Sequence, residues 1–159
     1  MAQEMNPQDM LQMCLEQEKK YQFETLSRED IYRLGDILRK HADQVSRPIS
    51  VEIMVNGLLL FRYYPEGATE YYKMVMERKH RTANTFEKSS LRFYVENQVN
   101  GLDPQKDMFL DPQKLQFRGG SFPIRLKDGC VVGSIAAAGG AHTDDHQLII
   151  DSLEEYFGR

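Results

Sequence analysis

The chain is short of the residues from which most recognisable catalytic and metal motifs are built. Its 159 residues include two cysteines, four histidines and no tryptophan. Cys14 and Cys130 stand far apart and outside CxxC or CxxCH spacing, which argues against a disulfide framework, a zinc knuckle and covalently attached haem. Two isolated thiols suit a reducing compartment, so the expected location is cytoplasmic. No apolar run approaches the roughly 20 residues of a spanning helix, so no membrane partner is expected. The opening MAQEMNPQDM is polar and acidic, unlike a secretory or mitochondrial leader. With a net charge of −4 the chain gives little reason to expect a nucleic-acid partner, since affinity for a phosphate backbone comes chiefly from clustered Lys and Arg. There is no Rossmann fingerprint, P-loop or GxSxG elbow, so Ser121 is a poor nucleophile candidate.

What is present suffices for a core. The composition is 41% hydrophobic and 28% charged, and a chain of this length buries roughly 70% of its extended surface. No linker, repeat or low-complexity tract divides it. It reads as a single domain, 1–159, with residues 1–24 as an N-terminal helical segment packing on the rest.

Local signals give the element order. Asn6 and Pro7 mark a helix start, with Met10, Leu11, Cys14 and Leu15 at helical spacing. Ser27 caps a second helix that buries Ile31, Leu34, Ile37 and Leu38 and ends near Gln44. ISVEIMV, Asn56-Gly57 and LLLFRYY predict a β-hairpin on a two-residue turn. Regular pairing sets Val55 against Leu58, Ile53 against Leu60, Met54 against Leu59 and Glu52 against Phe61. Both hairpin faces are mostly apolar, so both should be covered, one by helices and the other by a second subunit. Thr69 caps a long helix to about Phe86. Residues 90–118 look irregular, with Asn100-Gly101 read as a turn. A second hairpin turns at Asp128-Gly129, with Leu126 facing Val131 and Ile124 facing Gly133. Thr143 caps a last helix that begins Asp144-Asp145. Hairpins in place of βαβ alternation predict a mostly antiparallel sheet with packed helices, an α/β chain of the α+β type.

Three groups of residues could carry chemistry. In Arg78-Lys79-His80-Arg81, Lys79 falls in the middle of the helix's apolar stripe, Arg78 and His80 lie to either side, and Arg81 points away. An ammonium there needs an internal carboxylate, carbonyl oxygens or a bound anion. His142 and His146 are four apart, but His142 precedes the expected cap, and no third metal ligand has recognisable spacing, so no metal site is expected. His146 shares a stripe with Ile149, Ile150 and Leu153, the usual setting of a hydrogen-bonded core histidine. Gly119-Gly120 entering a strand permits a sharp bend or close approach by a ligand or another chain.

In order along the chain, LLLFRYYPEGAT, RKHRTANTFEKSSL, GGSFPIRL and GCVVGSIAAAGG with Asp145-His146 are similar to segments of the GlcG/HbpS-like haem-binding and haem-degrading domain family. The closest likeness is to its small stand-alone branch. It spans about residues 10–157, with Arg78, Lys79, Phe86, Ser89 and Ser90 on one matched segment and GGSFPIRL the most specific. The chain departs from the branch in lacking a Trp ahead of Arg-Lys and in ending its strand Ala-Ala-Ala-Gly-Gly. The resemblance implies a profilin-like fold, a central antiparallel sheet flanked by helices on both sides. It also implies assembly into homo-oligomers and haem or another tetrapyrrole as ligand.

The functional expectation is a cytoplasmic homo-oligomer binding a small anionic ligand, haem among the candidates. The ligand-binding residues would be Arg78, Lys79, His80, Ser89, Gly119, Gly120 and His146. Lys79 and His146 should border one concave site with the Gly119-Gly120 bend. Any haem would be held non-covalently by the basic helix and a histidine, His80 or His146. The alternatives are an enzyme on a small metabolite, using Lys79 or His146 as acid/base, and a structural or partner-binding oligomer without ligand. No catalytic triad, redox or nucleotide motif stands out.

Overall fold

The computed structural model describes residues 5–158; Met1 to Glu4 and Arg159, which the single-domain and leader readings include, lie outside the described residues. The first helix, α1 (Pro7–Lys20), begins where Asn6 accepts the Asp9 N–H at 2.9 Å. A short strand, β1 (Gln22–Phe23), leads to α2 (Arg28–Asp43), which opens on a capping box formed by Ser27 and Asp30. The first hairpin is β2 (Ser50–Val55) and β3 (Leu58–Tyr63), followed by α3 (Glu70–Phe86) and α4 (Ser90–Asn100). The second hairpin is β4 (Ser121–Leu126) and β5 (Val131–Ala138), and α5 (His142–Phe157) closes the fold.

The strands lie in the order β1-β4-β5-β2-β3, antiparallel except for the parallel β1–β4 pair. The fold is α+β, with helices on both faces of the sheet. Period-two alternation divides the strands' side chains. Val51, Ile53, Phe122, Ile124, Ile135 and Ala137 point to one face, against Ile31, Leu34 and Leu38 of α2 and Ile149 and Leu153 of α5. Each fully buried Val, Leu, Ile or Phe side chain among them contributes about 1.5–3 kcal/mol, so this layer dominates stability. The opposite face takes α3 through Val75 and Met76 on Ala136 and Ala138, small residues that let the helix approach closely.

Several sequence expectations need correction. The stretch expected to be irregular contains α4: Ser89 caps it, its Oγ accepting the Arg92 N–H, and Asn100-Gly101 is its end, Gly101 having φ 66°. The last helix starts two residues earlier than expected, at His142 in place of Asp144. Ala141 is the N-cap and supplies no side-chain hydrogen bond, so His142 is helical. Thr69 precedes α3 as expected but its side chain makes no cap bond. Both hairpins carry a bulge. In the first, Val55–Leu58 and Met54–Leu59 pair as expected, but Ile53 then pairs with Phe61 and Glu52 with Arg62, leaving Leu60 over. In the second, Ile124 faces Gly133 as expected, while Arg125, not Leu126, pairs with Val131.

The N-terminal helix packs on α4, with Cys14 against Leu91 and Val95. Its packing face also carries Glu18, whose carboxylate accepts from the Ser89 N–H and hydroxyl and from Arg92. Burial raises the Glu18 carboxyl above its usual range, against the pull of Arg92.

Candidate functional site

Lys79 occupies the centre of the buried face of α3, 3% exposed. Its Nζ donates to the Ala137 carbonyl at 2.6 Å and to Asp145 Oδ2 at 3.0 Å. Asp145, 2% exposed, stands in the first turn of α5, and its Oδ1 accepts the Gly140 N–H at 2.9 Å. The carboxylate thus ties the β5–α5 turn to the buried ammonium. Burial pushes the Lys79 ammonium below the usual lysine range, while Asp145 acts to hold it up. Gly120 completes this arrangement. At φ +123° it adopts backbone that L side chains avoid, and a Cβ there would overlap Lys79 Nζ.

The pair forms the floor of a cleft of about 410 Å³. Tyr71, Tyr72 and Val75 of α3 line one side, and Arg118, Gly139 and His142 line the other. The start of α5 opens into it, bringing the positive end of the helix dipole beside Lys79, Arg118 and His142. His142 Nδ1 accepts the Gly119 N–H at 3.0 Å, which places the proton of the neutral ring on Nε2. Burial, then Arg118 and Lys79, hold His142 below the usual histidine range, so the ring is neutral around pH 7.

The remaining sequence-predicted residues lie elsewhere. Arg78 is half-buried beside Met74 and Arg81, in a separate small depression on the other side of α3, and its Nε has no partner among the described residues. His80 turns to the sheet: Nδ1 meets Ser134 Oγ at 2.7 Å and Nε2 meets Glu52 Oε1 at 3.0 Å. Arg62 Nε completes that chain on Glu52 Oε2 at 2.7 Å. Burial acts to raise the Glu52 carboxyl, but His80 and Arg62 together hold it below its usual range. Ser134 is wholly buried under α3, so the Ser–His–Glu sequence of contacts knits helix to sheet. Ser89 caps α4 and binds Glu18. His146 packs on Phe122 with Nε2 on Gln17 Oε1 at 2.7 Å and, among the described residues, no partner on Nδ1. Burial, with a smaller push from His142, lowers its pKa to about 3.

The cleft therefore gathers Lys79, His142 and Asp145; Gly119 and Gly120 stand behind His142 and Lys79 and do not line it, and Arg78, His80, Ser89 and His146 lie outside. Sequence reasoning missed Arg118 and placed Asp145 only in the first turn of the last helix, with no part in the site. The demand of a buried lysine for an internal carboxylate was the available signal for Asp145; Arg118 reaches the cleft from a segment without regular structure and left none. Among the described residues, no group of three or more His, Cys, Asp or Glu is placed to hold a metal ion. No helix among them is long and apolar enough to cross a membrane.

Comparison with known proteins places this fold. Residues 26–154 match the family model described as haem degrading protein HbpS-like. A UPF0303 protein of Serratia proteamaculans is 29% identical over 154 residues, 97% of this chain and 96% of the relative. Another, of Psychromonas ingrahamii, is 28% identical over 151 residues and 95% of each. Among solved structures, the Ybr137w protein gives a TM-score of 0.86 at 22% identity, over 96% of this chain and 92% of its own. The PduOC haem complex gives 0.68 at 20% identity, over 83% and 94%, and HbpS gives 0.64 at 21%, over 84% and 91%. At these identities the solved structures establish a shared fold.

Proposed function

The chain belongs to the HbpS-like family of haem-degrading proteins, and from that premise we propose that it binds a small ligand bearing a carboxylate or similar anionic group in the cleft between α3 and the start of α5. The observation that carries this reading is the cleft's charge: the Lys79 ammonium at its floor, Arg118 and the Nε2–H ring of His142 on its wall, and the opening of α5. Asp145 neutralises part of it, so one anionic group is the natural complement. Tyr71, Tyr72 and Val75 supply an aromatic and apolar wall for the rest of the ligand.

Haem is the ligand that the family description and the PduOC complex name. Its propionates suit the cationic wall. Its iron is a different matter. His80 has both ring nitrogens engaged, His142 has its lone pair on Gly119 N–H, His146 is buried away from the cleft, and His41 pairs with Glu155 on another face. The residues fit a haem's carboxylates and do not fit histidine ligation of its iron.

Absorbance and intact mass of natively purified protein identify what it carries, and calorimetric titration with haemin, small carboxylates and inorganic phosphate measures the cleft. A charge-assisted hydrogen bond is worth about 1.5–3 kcal/mol, so Arg118→Ala should weaken the bound anion by about tenfold or more. Saturable binding that is indifferent to Arg118→Ala and His142→Gln would remove the cleft from the reading.

We extend the proposal to a homo-oligomer in a reducing compartment. β3 is an edge strand with Leu58 half-exposed at its start, and the two cysteines are unpaired. Light scattering at the 18.5 kDa of one chain would overturn the assembly.

A further inference from the structure

An amine and a base face each other at the floor of the cleft, and binding alone does not require both. An anion is held equally well by the exposed Arg118, without the cost of burying an ammonium and a carboxylate together. Lys79 Nζ has two acceptors among the described residues, Ala137 O and Asp145 Oδ2. A tetrahedral ammonium carries three N–H bonds, and Lys79 also lines the cleft. The missing Cβ of Gly120 leaves the space that Nζ occupies. Asp145 Oδ1 is fixed by Gly140, which keeps Oδ2 turned to the amine.

Resting on the anion-cleft reading above, we propose that Lys79 is a nucleophile that forms an imine with a small carbonyl compound carrying a carboxylate, a 2-oxo acid or an aldehyde acid. Arg118 and the start of α5 hold the substrate's carboxylate, and Asp145 shuttles the proton. Lys79 Nζ and Asp145 Oδ2 lie 3.0 Å apart, so a proton passes between them without either side chain moving.

The steps balance without an oxidant or reductant. The ammonium passes a proton to Asp145 Oδ2. The amine's electron pair then forms a C–N bond to the carbonyl carbon while the C=O π pair moves to oxygen, and the second nitrogen proton transfers to that oxygen. The carbinolamine hydroxyl takes the proton held by Asp145, the C–O bond breaks with loss of water, and the nitrogen pair forms the C=N bond. The products are a protonated imine on Lys79, ionised Asp145 and water. Burial of the amine favours the nucleophilic form in the way required of imine-forming lysines.

The test uses the full chain in its native state. The protein is incubated with glyoxylate or pyruvate and sodium cyanoborohydride, and the reduced adduct is located by peptide mass mapping. The expected result is one adduct per chain on Lys79, slowed at least tenfold in Asp145→Asn and in Arg118→Ala. Protection by acetate, which binds but has no reactive carbonyl, should slow it in wild type. Circular dichroism of each variant confirms that it is folded. An adduct spread over surface lysines, or Lys79 unmodified at oxo-acid concentrations that saturate calorimetric binding, overturns the imine and leaves the anion cleft standing. Absence of any saturable carboxylate binding overturns both. Trapping on Lys79 that is equally fast in both variants removes the assigned roles of Asp145 and Arg118, and with them the proposal.

Discussion

Lys79 and Asp145 meet at 3.0 Å although 66 residues separate them in sequence, and their contact fastens the start of α5 to the middle of α3. The pair joins opposite faces of the sheet around its end, where Gly120 and Gly140 bring the backbone close.

Removing one partner should therefore cost far more than removing both. Asp145→Asn or Lys79→Met leaves its counterpart buried and uncompensated, which typically costs about 3–5 kcal/mol. The double variant Lys79→Met/Asp145→Leu should lose well under the sum. Urea unfolding of the three variants measures the coupling; additive losses would show that the two side chains do not depend on each other.

A second expectation concerns acid. Burial lowers the pKa of His146 from 6.5 to about 3, so between those values the unfolded chain binds a proton that the folded chain refuses. Above that window His146 has no effect on the pH dependence of stability. As pH falls through it, stability drops by up to about 1.4 kcal/mol per unit. Glu18, raised by burial, works in the opposite sense over part of the range. The comparison that isolates His146 is between wild type and His146→Gln, whose stability should decline less steeply by about one proton. Parallel pH profiles would mean that His146 is charged in the fold.

Gly120→Ala should be among the most damaging single-methyl additions. It meets Lys79 Nζ and the Ala137 carbonyl, and it forces alanine into positive φ. Backbone strain alone costs about 1–3 kcal/mol. Thermal unfolding within a degree or two of wild type would show that the β4 entrance relaxes freely.

Glu87→Gly should act the other way. Glu87 ends α3 in left-handed backbone at φ 54°, and its side chain is exposed. Glycine relieves about 1 kcal/mol of Cβ strain there, read as a higher denaturation midpoint at unchanged slope. An unchanged or lower midpoint contradicts this.

The sequence made local features plain and long-range ones obscure. The Asn6 and Ser27 caps, the Asn56-Gly57 turn and the burial of Lys79 on α3 follow from spacing within a few residues, and the structure has them. The first strand pairs with β4 about a hundred residues away, too short at Gln22–Phe23 to leave a pattern. The helix α4 was hidden because Asn-Gly closes helices and hairpins alike, the same φ > 0 requirement serving both. The site was half legible. A buried lysine announces that it needs a partner, but which carboxylate answers is decided by tertiary packing. His80 and His146 looked like ligands because polar residues on apolar stripes attract attention. Each is satisfied or enclosed by a residue distant in sequence, Glu52 for one and Gln17 for the other.

The bulge at Leu60 resets the two-residue rhythm of β3 once, partway along. Leu58, Leu60, Phe61 and Tyr63 share the α2 side, with Phe61 filling the space above Gly35, and Leu59 and Arg62 take the other. Inward positions are therefore even-numbered up to Leu60 and odd-numbered from Phe61 onward. A substitution scan along β3 would show tolerance alternating in one phase before residue 60, a doubled intolerant step at 60 and 61, and the alternation resuming afterwards. That skipped beat brings the Arg62 guanidinium, and not the ring of Phe61, to the carboxylate of Glu52, and so gives His80 a charged neighbour that is already balanced.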